Sequence, residues 1–409
     1  MEIPQEVVSS YQRPQLKKHK NIRNCICIME NTTKIKLMLF GDFRAANPPK
    51  ILFGDGVSEL LKESDVNVCN FEAPINVENA KPIIKSGPAL SQSTEAPQFL
   101  MNSGFNVILL ANNHIMDYGK EGCEATLKAF SNVTTIGAGS AGEAFAVKYI
   151  EIKGKKIGFC SLVQNEFGTV EGNEGDGYGA AWINSPDVPE MVMKAKKECD
   201  FLLVFPHAGV EHTVAPLPEW RRLYKRFIDW GADAVIASHP HSPQGWEDYK
   251  DKRIYYSLGN FYFDELTYDD WWFKSIAVEL SIGENNAITF REHFLKFDAN
   301  GQISIDDSSE MKERVNYANL LLENENQYYG YINRICEGRY RGMRYGILRG
   351  VCGISFKMKL KYIIRLLGCM LLGNTDEPYL LNAIRCESHR WVMQRALENR
   401  NRNNKTIVS

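Results

Sequence analysis

The chain is punctuated by short, mainly apolar runs that each give way to a polar break. Leu37–Phe40 runs into Gly41-Asp42, Val66–Cys69 into Asn70-Phe71-Glu72, and Phe105–Leu110 into Ala111-Asn112-Asn113-His114. Phe201–Phe205 runs into Pro206-His207, and Ala234–Ala237 into Ser238-His239-Pro240-His241. Runs this short and this continuous suit strands buried on both faces. Between them the apolar spacing becomes helical. Trp220, Leu223, Tyr224, Phe227 and Ile228 share one helix face, Pro218 stands near its start, and Gly231 follows as a C-terminal cap. Glu121–Phe130 reads as another helix. Strands alternating with helices predict an α/β fold with largely parallel strands.

Farther along, Arg253–Leu258 and Ser275–Leu280 alternate as strands, and Ala287–Phe290 and Glu292–Phe297 continue that sheet. The pattern divides the chain into a tail over residues 1–33, a main domain over 34–300, and a helical, basic extension over 301–409. In the extension, Asn316–Gln327 and Leu380–Asn399 are the helix candidates. Between them, over residues 339–373, basic side chains such as Arg339, Arg344, Lys357 and Arg365 interleave with Tyr345, Leu348, Phe356 and Leu366. That pattern fits an amphipathic region packed on the main domain. It also fits peripheral contact with an anionic membrane face.

Composition narrows the setting. The 409 residues carry a formal net charge of −2, without the basic bias of a nucleic-acid binder. The first residues are polar, which predicts no secretory leader. No stretch reaches the roughly 20 apolar residues that span a bilayer. The ten cysteines are scattered, as free thiols in a reducing compartment would be. The expected location is cytoplasmic, with the inner membrane face as a peripheral option.

The chemistry gathers at the strand ends. Asp42, Asn70 with Glu72, Asn113 with His114, His207, and His239 with His241 each follow a predicted strand, and ligands of open α/β sheets collect at the carboxyl ends of strands. Each group alone has a structural explanation: a turn at Gly41-Asp42, a loop around Phe71, a helix cap at Asn112-Asn113-His114. The shared placement, and a proline fixing the backbone between His239 and His241, point to a metal site. Neutral imidazoles bind Zn, Fe or Ni, and carboxylate or amide oxygens suit Mn or Mg. Two such metals, about 4 Å apart, can hold both the attacking and the leaving oxygen of a phosphoester.

These residues resemble the CapA family of capsule and poly-γ-glutamate synthesis proteins. Leu110-Ala111-Asn112-Asn113-His114-Ile115-Met116-Asp117-Tyr118-Gly119 resembles its L-A-N-N-H-x-x-D-x-G, and Asn70-Phe71-Glu72-Ala73-Pro74 its N-L-E-x-P. His207-Ala208-Gly209-Val210-Glu211 resembles H-x-G-x-E; Gly231-Ala232-Asp233-Ala234-Val235-Ile236 with His239-Pro240-His241 resembles G-A-D-x-V-I-x-x-H-P-H. Tyr256-Ser257-Leu258-Gly259-Asn260-Phe261 matches Y-S-L-G-N-F.

The resemblance covers residues 35 to about 270. It implies a four-layer, metallophosphoesterase-like (calcineurin-type) β-sandwich flanked by helices. It also implies two divalent metal ions, Mn, Fe, Zn and Mg being indistinguishable, on Asp42, Asn113, His207, His239 and His241. His114 would be the general acid or a transition-state stabiliser, oriented by Asp117. Glu72 and Glu211 would be further ligands, contact substrate or support the ligands, and Asn260 would support a loop. One departure stands out: ordinary metallophosphoesterases open with D-x-H, whereas Asp42 is followed by Phe43 and Arg44. Arg44 is thereby a candidate contact for an anionic substrate.

The implied activity is hydrolysis of a phosphoester or amide-type bond by metal-activated water, acting on an anionic polymer or envelope precursor. A non-catalytic, metal-binding assembly factor of a capsule-synthesis complex is the rival. A nucleotide-sensing module ranks last, because no P-loop or G-x-G-x-x-G follows a strand.

Overall fold

A computed structural model describes residues 34–264, 270–352 and 377–407. Ile35–Arg44 runs parallel to Val66–Phe71, which is followed in the same sense by Val107–Leu109 and Thr134–Ile136. On its other side lies antiparallel Lys274–Ile282, then Ile288–Phe297 and Gln302–Ile305. The short strand Asn260–Phe263 pairs parallel with the far end of Ile35–Arg44. A second sheet has the order Trp246–Tyr249, Lys252–Tyr255, Ala234–Ile236, Phe201–His207, Lys155–Val163, Lys148–Ile152.

Alternation along the strands fixes how the sheets stack. Leu37, Leu39, Val66, Val68, Val107 and Leu109 of the first sheet share one buried core with Ile157, Phe159, Leu203, Phe205 and Ile236 of the second. The intervening residues face outward under helices. Met38, Phe40, Cys69 and Ile108 meet Val57, Leu100 and Cys123, while Leu162, Leu202, Val204 and Val235 meet Val192, Trp220, Tyr224 and Phe227. Helix, sheet, sheet, helix is the expected four-layer sandwich. The helix Pro218–Asp229 lies where its apolar face predicts, and Gly231, at φ 112, follows it in the left-handed region.

The sheets are less parallel than the strand–helix rhythm predicts. Residues 288–297 form one uninterrupted strand, joined to Lys274–Ile282 by a tight turn in which the Gly283 N–H donates to the Ala287 carbonyl at 2.9 Å. A connection that short can only join antiparallel strands.

The extension differs in its breaks. One helix starts at Ser309 rather than Asn316, because the Ser308 hydroxyl accepts from the Met311 N–H. It ends at Glu323, where Asn324 turns extended and its side chain accepts from the Gln327 N–H at 3.1 Å, starting the helix Glu325–Cys352. The last stretch is likewise two helices, Glu377–Arg385 and Glu387–Ile407, with Cys386 buried at the joint.

Leu321, Tyr328, Ile332, Cys336, Val392 and Ala396 of these helices join the core beneath the second sheet. The part of the 339–373 stretch that spans residues 353–373 lies outside the described residues. Among the described residues no helix is long and apolar enough to cross a membrane.

One glycine sets the position of Asp42. The Asp42 N–H donates to the Gly259 carbonyl at 3.0 Å, and a Cβ on Gly41 would stand 1.8 Å from that same oxygen. Gly41→Ala should therefore cost more than about 4 kcal/mol, in the range reserved for gross packing clashes. Denaturant unfolding measures it; a loss under about 1 kcal/mol would contradict this close approach.

Candidate metal centre

The strand ends converge. Asp42 and Glu72, both fully buried, come from the first sheet and the turn after it. His207 ends its strand in the second sheet, and His239 and His241 follow Ala234–Ile236. Glu72, His207 and His239 form one group whose ligand atoms lie within 4.8 Å of one another, and Asp42, Glu72 and His241 form another. Glu72 belongs to both. Its Oε1 stands 3.7 Å from His207 Nε2 and 3.5 Å from His241 Nε2. Asn113 joins through its Oδ1, 2.9 Å from His207 Nε2.

The backbone is strained to make this cluster. Ala73, next to Glu72, has φ 103, His239 has φ 97 and His241 has φ 55. Residues with side chains avoid that region, at roughly 1–3 kcal/mol each.

The surrounding hydrogen bonds orient the ligands. Asp42 accepts from Asn70 Nδ2 at 2.8 Å and from the His239 N–H at 3.1 Å. His241 Nδ1 lies 3.0 Å from Asn260 Oδ1, which can only accept, so Nδ1 carries the proton and Nε2 is left facing Glu72. Asn260 in turn donates to the Trp272 carbonyl at 3.1 Å. Asn260 therefore orients a candidate ligand, a role beyond the loop support expected of it. Gln164, which the strand-end pattern does not reveal, sits 3.0 Å from His239 Nε2 and accepts from Ser388 in the last helix at 2.8 Å.

The electrostatics fit a cation. Both Glu72 oxygens are buried without a hydrogen-bond partner. Burial, then the charges of Asp42 and Glu211, push its carboxyl well above the usual range. Burial likewise raises Asp42. It also lowers His207 well below the ordinary imidazole value, reinforced by His239, His241 and His114, and brings His239 down to about 4. Neutral imidazoles beside buried carboxylates, one of them without a hydrogen-bond partner, form a donor set that suits a divalent ion.

Beside the cluster, His114 Nδ1 lies 2.6 Å from Asp117 Oδ2. Asp117 also accepts from the Leu90 N–H at 2.7 Å and from Lys85 Nζ at 2.5 Å. His114 and Lys85 open onto a cavity of 590 Å³ whose lining also includes Asn113, Glu166, Glu211 and His239. Its other wall comes from the C-terminal helices, through Arg339, Asn382 and His389.

Glu211 reaches solvent there, although much protein surrounds it. Burial acts to raise its pKa, but His241, His239, His212 and His114 outweigh that and hold it at about 2. Arg44 pairs with Asp264 at 3.3 Å, lies over the Phe263 ring and is not among the residues lining the cavity, while its charge reaches Glu72.

The family model of the bacterial capsule synthesis protein PGA_cap matches residues 38–265. The chain belongs to this family. It is 34% identical to the capsule biosynthesis protein CapA of Bacillus anthracis over 223 residues, 51% of this chain and 53% of that one. It is 32% identical to the PGA biosynthesis protein CapA of Bacillus subtilis (strain 168) over 220 residues, 51% and 56% of the two chains. The chain thus spans about half the length of the curated relatives it matches.

Likeness to solved structures is looser. The 5'-nucleotidase from Candida albicans SC5314 aligns with a TM-score of 0.39 at 11% identity, over 65% of this chain and 52% of that one. The Haemophilus influenzae NAD nucleotidase aligns with a TM-score of 0.35 at 12% identity, over 69% and 55%. The PGA_cap segment holds every residue of the metal cluster and of the His114–Asp117 pair, whereas Arg339, Asn382 and His389 lie outside it.

Proposed function

We propose that this PGA_cap protein is a metal-dependent hydrolase acting on a phosphoester or amide-type bond in an anionic envelope polymer or its precursor. The observation that carries the reading is Glu72, a buried carboxylate with no hydrogen-bond partner, set among Asp42, His207, His239 and His241. Two divalent ions would be held by the two groups that share Glu72, with Asn113 at the His207 side. When bound, such ions polarise the scissile bond and lower the pKa of coordinated water.

The chain's own groups supply the rest. An ionised Asp117 can only accept at 2.6 Å, so His114 donates from Nδ1 and Nε2 is the nitrogen left to exchange a proton with the leaving oxygen. Asp117, with 0% exposure, is itself fixed by the Leu90 N–H and Lys85, so the ring is held before substrate arrives. The names of the CapA relatives support an envelope polymer as the target.

A second reading, a metal-binding assembly factor without turnover, draws on position 44. Arg44 stands where a D-x-H histidine would provide a ligand, and it pairs with Asp264. Measuring metal content together with phosphodiester turnover separates the two: metal with turnover supports the hydrolase, metal without turnover the assembly factor.

A further inference from the structure

Lys85 lies in none of the motifs named above and in no regular element, yet its side chain is only 5% exposed. The segment that carries it hangs on Asp117 at three points. The Ile83 N–H donates to the Asp117 carbonyl at 2.9 Å, the Leu90 N–H to its carboxylate at 2.7 Å, and Lys85 Nζ to the other carboxylate oxygen at 2.5 Å. Two backbone bonds already secure the segment, so the ammonium is not needed to hold it. A lysine withdrawn from water this far loses hydration that its single bond to Asp117 replaces only in part.

The ammonium has three N–H groups. Asp117 takes one. His114 Nδ1, 3.3 Å away, takes none, because it is itself donating to Asp117. The remaining donors belong to a residue that lines the cavity together with His114 and Asn113. The carboxylates of the cavity, Glu166 and Glu211, come from other segments, beyond the strands Lys155–Val163 and Phe201–His207.

We propose that Lys85 is a substrate-binding residue that holds the anionic oxygens of a phosphate-type group beside His114. The proposal rests on the phosphoester form of the reading above and assigns that site a fixed cation. A charge-assisted N–H···O bond from a desolvated lysine both binds the anion and keeps it oriented toward the histidine. Exchanging Lys85 for methionine keeps the length of the side chain, both backbone anchors and the Leu90 and His114 donors to Asp117, and circular dichroism with thermal unfolding checks that each variant is folded.

The test is calorimetric titration of inorganic phosphate into the full chain, supplied with Mn, for the wild type, Lys85→Met and Lys85→Arg, with metal content measured on each. Phosphate affinity should fall about 10- to 100-fold in Lys85→Met, the range for one hydrogen bond to a charged group. Metal content should be unchanged, and Lys85→Arg should recover most of the loss.

Equal binding by wild type and Lys85→Met would overturn the proposal. So would loss of metal in Lys85→Met, or absence of phosphate binding by the wild type. A wild type that holds no metal but binds phosphate through Lys85 would sink the metal reading and leave this assignment standing.

Discussion

Glu72→Gln should strip the centre of its metal while leaving the fold intact. The substitution keeps the shape of the side chain but removes the charge that both candidate groups share. Residues that merely orient a ligand cost about 10- to 100-fold in metal affinity when altered, so a ligand common to two ions should cost more than about 100-fold. Turnover should fall with the metal.

Stability of the metal-free protein should move the other way. A buried carboxylate with neither oxygen hydrogen-bonded disfavours the fold, and an amide carries no charge to desolvate. Denaturation in chelator should therefore find Glu72→Gln at least as stable as the wild type, whereas added metal should stabilise only the wild type. A Glu72→Gln protein that retains its metal would place the ions elsewhere.

The second large effect lies at Glu387, far from the centre in sequence. Its carboxylate, 1% exposed, accepts from the Asn165 N–H at 2.8 Å, Trp182 Nε1 at 2.6 Å and Asn184 Nδ2 at 3.2 Å. It ties the start of the last helix to the loop that follows Lys155–Val163. The next residue, Ser388, accepts from Trp220 Nε1 at 2.8 Å and donates to Gln164 at 2.8 Å.

Glu387→Ala removes the acceptor of three half-buried donors. At roughly 1–3 kcal/mol each, reduced by relaxation, the loss should be about 3–5 kcal/mol. Glu387→Gln, which keeps one acceptor, should lose less. Equilibrium unfolding measures both; a loss below about 1 kcal/mol for the alanine variant would show that the last helices are not anchored there.

Much of the centre is legible in the sequence for a simple reason. Strands buried on both faces are short apolar runs, and their ends stand out as the first few polar residues after each run. Asp42, Asn113, His207, His239 and His241 are visible that way. Alternation puts Asn70 and Glu72 on the same side of the pleat, but nothing local tells that Glu72 would lack any hydrogen-bond partner.

What remains hidden depends on contacts across long sequence separations. Asn260 meets His241 because the strand Asn260–Phe263 adds to the opposite sheet, beside Asp42. Ser388 reaches Gln164 across 224 residues, and Lys85 sits in a segment without periodicity. The breaks at Asn324 and Cys386 escape the apolar pattern too, since the periodicity runs through both and only side-chain capping or burial interrupts it.

The most direct test of the metal-centre account is elemental analysis of the purified protein beside the double variant His239→Ala with His241→Ala, each assayed on a generic phosphodiester with added Mn. The account predicts near-stoichiometric metal and turnover in the wild type, both lost in the variant. A wild type that takes up no metal, even after reconstitution, would contradict it.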